Sequence, residues 1–400
     1  MPSVRKPPVG INSDTKFMPI AATRNGVAFV VDRVMHYHVP TMKAIESGLA
    51  EKGIPFYLLS AQDKAEAVGR VAISGKVVSG HQHFRLTEKN IGSFSIRFQH
   101  ELLRACSEID PAVVVTTCHS GTLSEWLLLL WARRRSIRRV AWQCGYEYNP
   151  ASLKAAVLRR FIPLFDFHLC YHTNAQRYAL CYGAERGQTL VMHNTVDESR
   201  ITAGDKSIAK AKVISHWPAL RGKRLVLYVG AVLEEKRLEL VFDALDLLAL
   251  PDVAFLLVGD GPYLQTLKQR YNGRTDWIST GSIIDRVGDI FDAADVFVLP
   301  GTGGLAINEA MAHRTAVISS YADGSADDLV ADGVTGFRLR SDSVEEMARL
   351  LRELLGNPQR AMDMGAEGEK LIRGKLSFRS FIDRVVTTLA DQHEKACANT

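Results

Sequence analysis

Short apolar runs rich in β-branched residues alternate along this chain with longer stretches whose hydrophobicity falls on one helical face. GVAFVV at 26–31, residues 55–59, AVVVT at 112–116, and residues 139–142 and 167–171 each have the length and content of a buried strand. A helix is expected near 41–52, after the loop DRVMHYHVP, and another over LSEWLLLLWARRR at 123–135. The second half repeats the plan, with strands at 225–229, 253–258, 277–278, 296–299 and 316–318 and helices at 238–250 and 344–355. Alternation of this kind predicts parallel sheets covered by helices on both faces. The stretch 205–223, rich in Lys and Ser and holding Pro218, reads as a linker between the halves. A last helix near 378–395 carries Phe381, Ile382, Val385 and Leu389 on a face that needs a partner.

One junction carries more chemistry than the rest. The run Val296 to Leu299 breaks at Pro300, passes through Gly301, Thr302, Gly303 and Gly304, and restarts at Leu305 as a helix that includes Glu309. A buried strand, a glycine turn and a helix start expose backbone N–H groups to an anion and let a phosphate approach closely. Glu309 is expected about two helical turns in, at ~1.5 Å rise per residue, within reach of a sugar hydroxyl. The spacing suits a nucleotide held by its diphosphate and its ribose.

At this point several segments, in order, resemble the retaining, nucleotide-sugar-dependent glycosyltransferases of the GT-B fold, in the large family numbered four. HNTVD at 193–197, LYVGAVLEEKRLELVFDAL at 227–245, LLVGDGP at 256–262, ADVFVLP at 294–300, NEAMA at 308–312 and DGVTGF at 332–337 are similar to its motifs. The resemblance covers most of residues 190–375 and is weaker over 20–190. It implies an α/β GT-B fold of two facing Rossmann-like domains with an interdomain cleft. The acceptor side would span 18–200, a linker 201–223, the donor-binding domain 224–375, and a helix at 376–400 would return to the first domain. Within that resemblance, Lys236 matches a lysine on the donor diphosphate and Glu309 a glutamate on the ribose. Gly230 and the turn Gly301, Thr302, Gly303, Gly304 and Leu305 would face the donor as well. Departures are present: the first glutamate of the family's paired motif is Gly301, an expected arginine is Ala231, and a first-domain histidine position is Cys144.

Other candidates follow strand ends, where open α/β sheets bind ligands. His119, next to Ser120, is a candidate catalytic residue beside Lys236; His36, His38, Gln143, Tyr146 and Glu147 are candidates for acceptor or donor-sugar contact. Asp260 in the GDGP turn reads as structural. A dinucleotide-dependent dehydrogenase should show GxGxxG after its first strand, and DRVMHYHVP stands there instead. An inactive nucleotide-binding partner protein remains an alternative, given Ala231 and Gly301.

Composition limits the setting. The 400 residues are 46% hydrophobic and 23% charged, ordinary for two or three globular domains. Six cysteines without CxxC spacing fit reduced thiols, and no clustered Asp/His or DxD pattern calls for a metal. No cofactor is expected, the nucleotide-sugar being a co-substrate. Residues 1–200 carry 25 Lys and Arg against 16 Asp and Glu, while 201–400 carry 24 against 28. The basic half suits an anionic membrane surface or an acidic acceptor, whether saccharide or lipid-linked. Basic residues without interleaved aromatics argue against nucleic acid. The longest apolar run, Trp126 to Ala132, is too short to span a bilayer, and no signal peptide is evident. The expected location is the cytoplasm, with peripheral attachment to the inner membrane face through 126–140 or 153–167.

Overall fold

A computed structural model describes residues 26–61, 73, 75–91, 94–145, 153–283, 286–320 and 324–398. The first sheet is built from β1 (Val27–Val31), β2 (Phe56–Ala61) and β3 (Gly80–Phe84), then, past a hairpin of β4 (Leu86–Ile91) and β5 (Phe94–Gln99), from β6 (Val113–Thr116), β7 (Arg138–Gln143), β8 (Phe167–Cys170) and β9 (Thr189–Val191). All its strands are parallel and run in the order β3-β2-β1-β6-β7-β8-β9. The second sheet holds β10 (Arg224–Val229), β11 (Val253–Val258), β12 (Trp277–Ser279), β13 (Val296–Leu299), β14 (Val317–Ser320) and β15 (Gly336–Leu339), in the order β12-β11-β10-β13-β14-β15.

Fourteen helices accompany these strands among the described residues. The first half contributes α1 (Val39–Ala50), α2 (Leu102–Ile109), α3 (Leu123–Arg134), α4 (Leu153–Phe161) and α5 (Thr173–Cys181). The second half contributes α6 (Lys206–His216), α7 (Glu239–Leu248), α8 (Leu264–Arg270), α9 (Val287–Ala293), α10 (Ala306–Ala312), α11 (Ala326–Leu329), α12 (Val344–Gly356), α13 (Pro358–Arg373) and α14 (Phe378–Cys397). The α/β architecture of two parallel sheets is the one the alternating pattern called for, and β11 and β13 occupy the expected residues.

The strand orders determine where ligands can bind. In the first sheet the chain reverses its direction of growth between β1 and β6; in the second it does so between β10 and β13. Loops leaving the carboxyl ends of such neighbours turn to opposite faces and open a crevice between them. The loops after β10 and β13 are the 230–238 segment and the glycine turn. Those after β1 and β6 hold His36, His38 and His119.

Two sequence expectations change, and one element is new. Residues 205–223 are not a loose linker: Asp205 caps α6 by accepting from the Ile208 N–H at 2.9 Å, and Ala209 and Val213 join the second-domain core. Lys206 and Lys210 pair with Asp295 and Lys212 with Asp289, tying α6 to the second domain in a way that composition alone does not show. The 153–167 stretch is largely core, because α4 ends at Phe161 and Ala155, Leu158, Phe161, Ile162 and Phe165 are buried together. The hairpin β4–β5, with polar alternate positions such as Glu88 and Arg97, was not foreseen.

The last helix, α14, lies on the first sheet rather than the second. Phe381, Val385 and Leu389 are fully buried with Val113, Val140 and Trp142, and Gln392 Oε1 accepts two bonds from the Arg138 guanidinium at 2.6 and 3.0 Å. The contact with α1 is close, since a Cβ on Gly48 would lie 2.8 Å from Val386 Cγ2.

Candidate active site

Lys236 sits in a short 3-10 turn after β10, with its side chain laid under the glycine turn. It is only 9% exposed, and its Nζ donates to the Thr302 carbonyl at 2.6 Å and to Thr302 Oγ1 at 3.3 Å. The ammonium therefore joins the two loops that flank the second sheet's crevice. Arg237, next in the chain, pairs its guanidinium with the exposed Asp342.

Gly301 is a glycine for a reason that the sequence conceals. A Cβ there would lie 2.1 Å from the Glu235 carbonyl oxygen and 2.6 Å from Lys236 Cα, so backbone occupies the space a side chain would need. Gly304, by contrast, has open space around its missing Cβ, and Gly303 and Gly304 are exposed. The outer half of the turn is accessible while its root is packed. Gly230 is fitted in a similar way: its φ is +155°, and a Cβ on Gly259, at φ +140°, would strike the Gly230 carbonyl oxygen at 1.8 Å. Val232 N–H donates to the Asp260 carbonyl at 2.9 Å, so the GDGP turn braces the 230–232 loop from behind.

Leu305 caps α10, and Glu309 lies in its first turn rather than about two turns in, because the helix begins only at Ala306. Burial pushes the Glu309 carboxyl above the ordinary glutamate value, and His313, one turn on, draws it back. No described residue donates a hydrogen bond to that carboxylate, and none forms an ion pair with it. His313 is itself anchored, its Nδ1 lying 2.8 Å from Asp292 Oδ1. Next to Glu309, the buried Asn308 Nδ2 donates to Thr195 Oγ1 at 3.0 Å, tying α10 to the HNTVD segment of the first domain.

The first domain contributes a second set. His119 follows β6, and its backbone N–H donates to Glu125 Oε2 at 3.1 Å, while the Cys118 N–H donates to Glu125 Oε1 at 3.0 Å and Thr116 Oγ1 bonds to the same oxygen. Glu125 is 2% exposed, and burial pushes its carboxyl up to about 8. A buried carboxylate on α3 thus shapes the His119 loop. Burial and then Arg97 hold the His119 imidazole below its usual value, with Asp32 opposing them. Asp32, at the end of β1, accepts from Arg97 Nη1 at 3.0 Å and Gln99 Nε2 at 2.7 Å. The sequence reading singled out none of Asp32, Arg97 and Gln99, the last two because they arrive on the unforeseen hairpin.

The remaining candidates divide. His36 is exposed on the 3-10 turn after β1, and His38 Nδ1 accepts from the Met35 N–H at 3.2 Å, which makes it a turn-former. Gln143 is buried at the end of β7 with Oε1 lacking any hydrogen-bond partner. Tyr146 and Glu147 lie outside the described residues. Cys144 follows Gln143, and burial pushes its thiol up to about 11, which disfavours the thiolate.

The domains meet at a seam beside this site. Asp328 on α11 accepts from the Thr173 N–H at 2.8 Å and lies 3.3 Å from His193 Nδ1, while Asp327 Oδ2 accepts from Asn174 Nδ2 at 2.5 Å. A small cleft there is lined by Tyr171, His172, His193, Asn194, Asn308 and Asp328. Among the described residues no His/Cys/Asp/Glu group has the makings of a metal site, and no helix is long and apolar enough to cross a membrane.

With this geometry in hand, known proteins were compared. Residues 212–371 match the family model described as glycosyl transferases group 1. Sulfoquinovosyl transferase of Arabidopsis thaliana is 35% identical over 139 residues, 33% of this chain and 27% of that protein. A GDP-mannose-dependent alpha-(1-6)-phosphatidylinositol monomannoside mannosyltransferase of Mycolicibacterium smegmatis is 28% identical over 158 residues, 36% of this chain and 41% of that protein. The matched region thus spans about a quarter to two fifths of these curated relatives. Among solved structures, HepE of Anabaena, in complex with UDP and glucose, superposes with a TM-score of 0.68 at 14% identity over 92% of this chain and 99% of that one. A glycosyltransferase of Rickettsia africae superposes with a TM-score of 0.70 at 13% identity, covering 94% and 99%. Residues 212–371 are therefore a group 1 glycosyltransferase domain, carried in a chain of GT-B fold.

Proposed function

We propose that this protein is a retaining, hexosyl-type glycosyltransferase that takes a sugar from a nucleotide-sugar held by its second domain. The observation that carries this reading is a buried ammonium, Lys236, clamped to an open glycine turn, with the unpartnered Glu309 carboxylate on the helix that follows. Backbone N–H groups of the turn and Lys236 would hold the diphosphate, and Glu309 the ribose hydroxyls. Negative charge builds on the departing diphosphate in the transition state, and a cation there assists departure without requiring a metal. His119, shaped from below by Glu125 and flanked by Asp32 and Arg97, would meet the transferred sugar or the acceptor from the first domain. The relatives' names, which include lipid-linked phosphatidylinositol mannoside and sulfoquinovosyl transfer, support an acceptor that is a saccharide or lipid-linked saccharide.

The reading is tested by a thermal-shift and calorimetric screen of UDP, GDP, ADP, CMP and dTDP with their common sugar conjugates. One base should stabilise the wild type. Glu309→Ala should weaken that nucleotide about 10- to 100-fold, the equivalent of hydrogen bonds to a charged group at about 1.5–3 kcal/mol. If no nucleotide shifts the melting curve, the donor-site reading is lost.

A membrane surface is the proposed setting, because α3 exposes Leu123, Leu127 and Leu130 along one stripe and ends in Arg133, Arg134 and Arg135. Exposed leucines beside cations fit an anionic lipid interface, and the cytoplasmic face of a cell membrane would supply one. The protein should sediment with phosphatidylglycerol vesicles at low salt. Leu127→Glu with Leu130→Glu should cut the bound fraction about tenfold or more, since each buried leucine is worth about 1.5–3 kcal/mol. Indifference to such vesicles would end the membrane proposal.

A further inference from the structure

The donor site as built lacks a carboxylate at position 301 and cannot acquire one by substitution. Any Cβ at 301 meets the backbone of Glu235 and Lys236 at 2.1 to 2.6 Å. The backbone that closes this position carries an acid of its own. Glu235 is exposed, and its Oε1 lies 3.5 Å from Thr302 Oγ1, on the residue whose carbonyl holds Lys236. The Thr302 N–H donates back to the Glu235 carbonyl at 3.3 Å, so the two residues are paired through backbone as well as side chain. Glu235 also faces the loop after β10, where its charge contributes to raising the Tyr228 phenol, whose hydroxyl donates to the Ala231 carbonyl at 2.8 Å. The carboxylate therefore belongs to one of the two loops that frame the crevice and reaches the other at Thr302.

Its place is chemically informative. A carboxylate at the rim of a site built for a diphosphate repels that ligand, and simple anion binding would favour its absence. It becomes favourable when the ligand also presents hydroxyl donors, because one carboxylate can accept from two neighbouring hydroxyls through both oxygens. A sugar attached to the diphosphate supplies such a pair; a free nucleoside diphosphate places nothing there. We propose that Glu235 holds the hydroxyls of the donor's sugar and so serves as a specificity-determining residue, from the loop after β10, in place of a side chain at 301. This inference rests on the donor-site reading above.

The proposal separates sugar from nucleotide, and so does its test. Calorimetry with UDP against UDP-glucose and GDP against GDP-mannose would be run on wild type, Glu235→Gln and Glu234→Gln. Glu235→Gln keeps an acceptor for Thr302 but removes the charge. It should weaken the nucleotide-sugar that binds wild type about tenfold or more, while the matching free diphosphate binds as tightly as before or tighter. Glu234→Gln, one residue away in the same turn, should leave both unchanged. If Glu235→Gln binds sugar conjugate and free diphosphate as wild type does, or weakens both equally, Glu235 is a surface glutamate and the assignment fails alone. If wild type binds none of UDP, GDP, ADP, CMP and dTDP or their sugar conjugates, the donor-site reading fails and takes this inference with it.

Discussion

Lys236→Ala should lose about 30-fold or more of the protein's affinity for its nucleoside diphosphate, and transfer should slow by about 10² to 10³. These magnitudes follow from removing a desolvated cation where negative charge accumulates, worth about 2–4 kcal/mol. The geometry makes the loss larger than a surface lysine would show. Lys236 is buried, and its ammonium bonds the Thr302 carbonyl at 2.6 Å, so truncation removes both charge and the tie that sets the glycine turn. Lys236→Met separates the two by keeping the stem and discarding the charge. Isothermal titration of the variants, with circular dichroism to confirm folding, reads the result. Wild-type affinity in Lys236→Ala would make the residue a loop clamp and nothing more.

The second large effect concerns stability. His168 on β8 is fully buried beside Phe165, and neither ring nitrogen has a hydrogen-bond partner. Burial lowers its imidazole to about 4, against the ordinary 6.5 of the unfolded chain. Above pH 6.5 the ring is neutral in both states and contributes no pH dependence. Below it the unfolded chain binds a proton that the fold refuses, so stability falls by about 1.4 kcal/mol per pH unit until pH ~4, about 3 kcal/mol in all. His168→Phe should abolish that slope. It should also raise neutral-pH stability by about 1–3 kcal/mol, because an apolar ring leaves no polar atom unsatisfied. Urea titrations of both proteins between pH 7.5 and 4.5 give the difference directly. The difference isolates His168 from Glu125, pushed up to about 8, whose contribution runs the other way over this range, and from His81, also lowered to about 4 and present in both proteins. An unchanged acid slope in His168→Phe would show that the imidazole has a proton partner after all.

Neither effect could be read from the amino acids alone. Lys236 was identifiable because it follows a strand and turn at a recognisable spacing, yet its bond to Thr302 joins residues 66 apart. His168 sits in FDFHLC, where a strand pattern says only that alternate residues are buried. That its neighbours offer no acceptor is a property of the packed interior. In LSEWLLLLWA it is Glu125 that is buried, whereas Leu123, Leu127 and Leu130 are exposed, an orientation the sequence reading did not assign. The helix is rotated so that Glu125 can accept from the 118–119 backbone.

What the sequence by itself determined is the part governed by local periodicity and backbone chemistry. Two parallel sheets and the glycine turn after β13, with Glu309 on the helix behind it, follow from apolar runs of strand length broken by Pro and Gly, whereas Lys236 was marked by the resemblance to a family motif. Only the tertiary structure decided which loops face one another. Strand order put β10 beside β13, and that adjacency brought Glu235 against Gly301, where no side chain fits. It also drew α6 into the second core, turned the 153–167 stretch inward and laid α14 on the first sheet. Apolar faces specify that a partner is needed, and many partners would satisfy that need; shape and close contact between distant segments select one.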